Sequence, residues 1–269
     1  MIKPVGSDTL QPLFVYDSDK HDALSHEAES LPSVVISSQA AGNAVMMGAG
    51  YFNPLRGYMN VADAMGAAEK MTLTDGSFFP VPVMCLVQST DAIGDAKRIA
   101  LRDPNVEGSP VLAVMDIENI ETVSDEQMRV MTEKVYRTTD PEHPGVAAFN
   151  TQGRIALSGP IQVLNFSYFI TDFPDTFRTA VEIRNEIAER GWRDASGRCD
   201  HRERVGAVAV ACVKRVVGRH DIAAAVDLRD IGPGSAGHGP PGVETRAGVP
   251  DIDLHAVQSL SRRGVGDES

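Results

Sequence analysis

The chain has 269 residues, 42% of them hydrophobic and 23% charged, which excludes a wholly disordered polypeptide and allows one large or two modest globular domains. Its 25 Lys and Arg against 37 Asp and Glu give a formal net charge of −12, a field that repels phosphate backbones and anionic membranes. This charge disfavours a nucleic-acid binder.

Met1 to Asp8 carries a positive charge but no apolar run behind it, so no secretory signal is expected. The longest small-apolar stretch, Val205 to Val213, is about half of what a membrane crossing requires. Cys85, Cys199 and Cys212 are odd in number and widely spaced, the usage of a reducing cytoplasm. Asn165-Phe166-Ser167 matches a glycosylation acceptor, which has no weight without secretion.

Leu31 to Ser37 is a β-branched run that predicts a strand, and Gln39 to Gly48 is Ala- and Met-rich in the helical manner. Tyr51 to Met59 interleaves aromatics with Pro and Gly and reads as a structured loop. Helical spacing resumes over 61–71. Thr72-Leu73-Thr74 and Phe78 to Val87 flank Asp75-Gly76, a turn pair that predicts a hairpin. Ile99-Ala100-Leu101 and Val111 to Val123 read as further strands. Ser124 to Gln127 is a capping box opening a helix to about Tyr136, which Pro141, Pro144 and Gly145 break. Ile155 to Leu157 and Ile161 to Asn165 predict two short strands around Ser158-Gly159-Pro160. Asp175 or Thr176 is the expected cap of a helix carrying Phe177, Ala180, Val181, Ile183, Ile187 and Ala188, with Gly191 in the terminating position. Many short strands with brief helices predict a small mixed barrel over 1–165.

Four segments resemble the ATP sulfurylase (sulfate adenylyltransferase) family, in particular its bacterial sulfur-oxidiser type. They are Met1 to Ser7; Gly50-Tyr51-Phe52-Asn53-Pro54-Leu55-Arg56-Gly57-Tyr58-Met59, similar to the family's Gly-x-Phe-x-Pro-Leu-x-Gly-Phe-Met; Leu73 to Pro82; and Phe173-Pro174-Asp175-Thr176 through Arg190-Gly191-Trp192. The resemblance covers residues 1–193. It implies an α+β, mixed fold: a PUA-like β-barrel domain over 1–165, then the start of an α/β nucleotidyltransferase domain whose first helix occupies 166–193. It also implies attack of a sulfate oxygen on the α-phosphorus of ATP, giving adenosine 5′-phosphosulfate and pyrophosphate, or the reverse in sulfur oxidation. Mg²⁺ and ATP are the implied cofactors, and a homodimer is the implied assembly. Such a step depends on cations and oriented amides aimed at phosphate charge.

After Gly-Trp the family continues with Gln-Thr-Arg-Asn-Pro, His-x-x-His and a later Gly-Arg-Asp loop. This chain reads Asp194-Ala195-Ser196-Gly197-Arg198-Cys199-Asp200-His201, and neither Gln-x-Arg-Asn nor His-x-x-His occurs anywhere in it. No catalytic, cofactor-binding or metal residue is therefore assigned. The alternative to an active enzyme is a catalytically inactive N-terminal fragment. Arg184-Asn185 lies within the expected helix and reads as solvated face.

Other chemistry yields to bland readings. Cys199, His201, Cys212 and His220 match no standard zinc spacing. Gly232 to Gly242 is Gly-rich but lacks the Lys-Ser/Thr of a P-loop, so linker is expected. Gly48-Ala49-Gly50 starts like a dinucleotide fingerprint, but Asn53 and Pro54 stand where a Gly and a helix belong. His143 reads as an exposed turn residue, and Met46, Met47, Met59, Met65, Met71 and Met84 as core filling. An RNA-binding module is disfavoured because the first 193 residues carry 15 Lys and Arg against 26 Asp and Glu.

The chain changes character after residue 193. All fifteen aromatics, ten Met and eight Asn precede Asp194, whereas the earlier frequency predicts roughly 13 in the last 76. No single physical demand removes these side chains together. They share AT-rich codons, and the tail's excess of Gly, Ala, Arg, Val, Asp and His is that of a GC-rich gene in an unintended frame. Residues 194–269 thus read as out-of-frame or foreign sequence, with 230–269 expected to be extended and unpacked.

Overall fold

The computed structural model describes Pro4 and residues 6–191. In chain order these form α1 (Ser18–Ser30), β1 (Ser33–Val35), α2 (Ser38–Gly48), β2 (Gly57–Tyr58), α3 (Val61–Lys70), β3 (Cys85–Val87), β4 (Arg98–Arg102), β5 (Val111–Asp116), β6 (Asn119–Thr122), α4 (Asp125–Tyr136), α5 (Pro144–Asn150), β7 (Ile155–Val163), α6 (Phe169–Asp172) and α7 (Ala180–Glu189). The strands make one mixed sheet curled into a half-barrel, in the order β1-β4-β5-β7-β2, with β3 and β6 also paired to β7. Only β1 and β4 run parallel.

The nine-residue β7 organises the sheet. Its first half pairs with β3 through Ile155–Leu157 and with β6 through Ile155–Ser158, while its second half pairs with β5 through Ile161–Val163. The two short strands expected around Ser158-Gly159-Pro160 are thus one strand, a correction with a clear cause. Gly159, at φ 143, lets the chain bend without leaving the sheet, since a Cβ there would lie 2.1 Å from Asp116 O. Pro160 is tolerated because it faces the short strand β2, opposite Gly57. A Cβ on Gly57 would in turn lie 2.0 Å from Gly159 O.

Alternation along β4 and β5 sorts side chains to two faces. Ile99, Leu101 and Met115 enter the main core with Phe14, Met47, Leu86, Leu157 and Phe166. Ala100 and Val114 face the other way, under Leu24 and Ala28 of α1 with Leu164. Helix α1 is capped by Asp17, whose side chain accepts from Lys20 N. Its signal in the sequence is weak, because its buried stripe is only His21, Leu24 and Ala28 in an otherwise polar segment.

The strand and helix readings at 31–37, 39–48, 61–71, 99–101 and 124–136 match observed elements. Others need correction. The hairpin of 72–87 reduces to a single Thr72↔Phe78 bridge around the Asp75-Gly76 turn, because Pro80 and Pro82 supply no ladder donors; β3 goes to β7 instead. Val111 to Val123 splits into β5 and β6. Pro144 starts a helix rather than only ending one, since its missing N–H costs nothing at the first helical position. The last helix is capped by Thr179, not Asp175 or Thr176, through a reciprocal box with Glu182. Phe177 precedes that helix and is buried in the main core. Met71 is 48% exposed and ends α3 with φ 55, so it fills no core; Met46, Met47, Met59 and Met84 do.

Candidate functional site

The segments that carry the sequence resemblance converge on one junction. Gly50, at φ 83, turns the chain out of α2, and the loop 51–56 follows with a cis Asn53-Pro54 bond. Asn53 is its hub: Oδ1 accepts from Gln11 N at 3.0 Å, and Nδ2 donates to Ser7 Oγ at 2.8 Å. The N-terminal arm is thereby laid along the loop. On the other side Tyr51 OH donates to Arg178 O at 2.5 Å, and Ala180 N donates to Ala49 O at 2.8 Å. Phe177 stacks obliquely on Phe166 and Phe169, ring centres 5.3 and 5.8 Å apart. The start of α7 is therefore fixed to the end of α2 and its loop by two hydrogen bonds, and to the 166–169 segment by one buried aromatic.

This junction is built to position chain, not to perform proton transfer. Tyr58 donates to Ala40 O at 2.7 Å, and burial pushes its phenol well above the ordinary range. Burial pushes the Cys85 thiol up to about 12, which keeps it an inert, protonated core residue. Burial also raises Tyr16, Tyr136 and Tyr168. All five groups hold their protons more tightly than free side chains do. None is poised as a nucleophile or base near neutral pH.

Three buried polar residues, Asp103, His21 and Ser158, keep a side-chain atom without a hydrogen bond. Asp103 is fully buried at the end of β4, with Oδ1 accepting from Asn105 N at 2.8 Å and Oδ2 without a hydrogen bond. His21 shares Nε2 with Leu164 O at 2.8 Å, while Nδ1 faces Asp22 at 3.8 Å. A cleft of about 350 Å³ lies between β1 and β3, lined by Val34 to Ser37, Leu86 to Ser89, Thr151 and Gln152. It offers hydroxyls and amides but no ionisable side chain, so it supplies no acid, base or cation for phosphate chemistry.

Among the described residues no three His, Cys, Asp or Glu side chains are placed together to hold a metal ion. No described residue is assigned to Mg²⁺, and no reaction step is derived through that ion. Arg184 and Asn185 lie in α7, Asn185 on its exposed side. Gly48-Ala49-Gly50 is the end of α2, as the structural reading requires. His143 is half-buried and caps α5 by accepting from Val146 N, which corrects its reading as an exposed turn. Cys199, His201, Cys212, His220 and the run 232–242 lie outside the described residues, as does the expectation for 230–269. Tyr51 and Asn53 could be read from sequence only as loop residues, because their partners Arg178, Gln11 and Ser7 are remote in the chain or lack any pattern.

Among the described residues no helix is long and apolar enough to cross a membrane. Residues 2–166 match the family described as a PUA-like domain. The chain is 73% identical over 193 residues to a sulfate adenylyltransferase of Allochromatium vinosum, covering 72% of this chain and 49% of the relative. It is 77% identical over 192 residues to the sulfate adenylyltransferase of the Riftia pachyptila sulfur-oxidizing endosymbiont, covering 71% and 44%. A solved structure, the hexameric APS kinase from Thiobacillus denitrificans, superimposes with a TM-score of 0.52 at 28% identity, covering 72% of this chain and 32% of that one. The chain thus spans about half the length of the curated relatives it matches.

Proposed function

The chain belongs to the PUA-like domain family, and from that premise we propose that it serves sulfate adenylyl transfer, the interconversion of ATP plus sulfate with adenosine 5′-phosphosulfate plus pyrophosphate. The observation that carries this reading is the 73% identity sustained over 193 residues. Residues 1–165 are the PUA-like domain, and 166–193 begin the nucleotidyltransferase domain. In this division the described residues are a scaffold. Their contribution is to fix the direction in which α7 leaves the barrel, through Tyr51, Ala49 and Phe177. In this proposal ATP, sulfate and Mg²⁺ belong to the family's catalytic half, whose motifs this chain lacks, and homodimerisation is part of the same proposal.

A second reading, a catalytically inactive N-terminal fragment, is favoured by one observation: the sequence carries no Gln-x-Arg-Asn and no His-x-x-His. ATP formation from adenosine phosphosulfate and pyrophosphate separates the two. Turnover by the purified chain above a heat-treated control establishes the enzyme and removes the fragment. Background turnover, with a folded PUA-like domain verified by circular dichroism, establishes the fragment.

A further inference from the structure

We infer that residues 194–269 are translated from a shifted reading frame, and that the gene's proper frame continues into the half of the enzyme that carries the chemistry. The inference rests on the family match and not on any activity of the chain.

Structure places the change narrowly. Up to Gly191 the local signals agree with the fold: Thr179 and Glu182 cap α7 reciprocally, and Gly191 takes φ 65 just beyond its last turn. The proper frame therefore runs at least that far. The similarity to the Allochromatium relative extends over 193 residues and covers only 49% of that protein, so about as much again of the relative has no counterpart in the match. The composition breaks at the same place. Gly, Ala and Arg rise from 42 of the first 193 residues to 30 of the last 76, while Phe, Tyr, Trp, Met and Asn fall to none. Lys falls from five residues to Lys214 alone.

A foreign coding segment does not explain this. A sequence selected to fold keeps aromatic and aliphatic side chains large enough to build a core, and one selected for disorder keeps Lys, Asn or Gln. What the lost residues share is their codons: Phe, Tyr, Asn, Lys and Met begin with two A or T bases. Gly, Ala and Arg take codons that are mostly G and C at both leading positions. A GC-rich gene read one base out of register moves its GC-rich third positions into a leading position, which enriches the second set and removes the first.

The test is to translate the gene in its two other frames downstream of the codon for Gly191. One frame is expected to run uninterrupted for about 200 codons, to restore aromatics, Met and Asn, and to match the relatives at an identity comparable to the 73% of the first part. The remaining frame serves as the internal control. If neither frame matches the relatives, the inference fails, and the tail was joined from elsewhere. The adenylyl-transfer assay is independent: applied to the protein translated from the matching frame, background turnover would sink the functional reading and leave the frame shift standing.

Discussion

The two faces of the sheet are held by different physics. The inner face is closed by large apolar side chains, with Phe166, Met47, Leu86, Ile99, Leu101, Met115 and Leu157 each under 2% exposed. Burial of one such side chain is worth about 1.5–3 kcal/mol. The outer face is covered by α1 through Leu24, Ala28 and the buried His21, edged by ion pairs of Arg98 with Glu27 and Asp116, both at 2.8 Å. Those pairs are about one-third to one-half exposed and contribute little. The inner face is thus the structural unit that cannot open locally, and α1 is the unit that can.

The comparison breaks most severely where backbone meets backbone. Gly57→Ala forces a methyl group against Gly159 O, and we expect a loss of more than about 4 kcal/mol, seen as a collapsed urea midpoint. A change under 1 kcal/mol would show that β2 and β7 separate freely.

Alkaline pH tests the inner face next. Cys85 is raised to about 12 in the folded state, above the unfolded thiol's ordinary value near 8.5–9, so the folded state retains the proton longer. The stability it contributes is complete below about pH 8.5 and is lost as pH rises toward 12. In a Cys199→Ser, Cys212→Ser background, alkylation at pH 9 should proceed only at the rate of unfolding; rapid modification of the native protein would contradict the burial of Cys85.

Truncations then compare the faces directly. Phe166→Ala should cost about 3–5 kcal/mol, whereas Leu24→Ala should cost about 2–3 kcal/mol, at the low end of its class because the α1 layer can collapse onto the sheet. Hydrogen exchange should show α1 amides opening well before those of β5 and β7. Equal protection of α1 and β7 would remove the distinction. Smaller still, Tyr51→Phe deletes one hydrogen bond to Arg178 O and should cost about 1 kcal/mol by urea titration, with faster exchange at the start of α7. Arg129→Ala, on the exposed side of α4 with Glu126 and Glu133, should change stability by no more than about 0.5 kcal/mol.

Elements whose signals are local could be read directly. The capping box of Ser124 and Gln127, the Ala- and Met-rich run of α2 and the β-branched run of β1 depend on neighbours within one turn or one strand. Elements defined by partners could not. Whether Ser158-Gly159-Pro160 ends a strand or bends one depends on Asp116 and Gly57, which are distant in sequence. Pro144 reads equally as a breaker and as a first helical residue until Val146 and Phe149 are seen packed inside. The candidate site shows the same division: the loop motif was legible, but its grip on the arm and on Arg178 was not.

By itself the sequence determined the family resemblance, the acidic charge, the change of character after residue 193 and the elements with local caps and periods. Those properties are written in neighbouring residues or in composition, and need no third dimension. Only the tertiary structure decided that β7 is one bent strand shared by four others, that α1 covers the outer face, and that Tyr51, Ala49 and Phe177 hold α7 against the barrel. Each of these arises from close approach between segments far apart in the chain, where the geometry of a backbone carbonyl or a buried ring, and not the residue type, selects the partner.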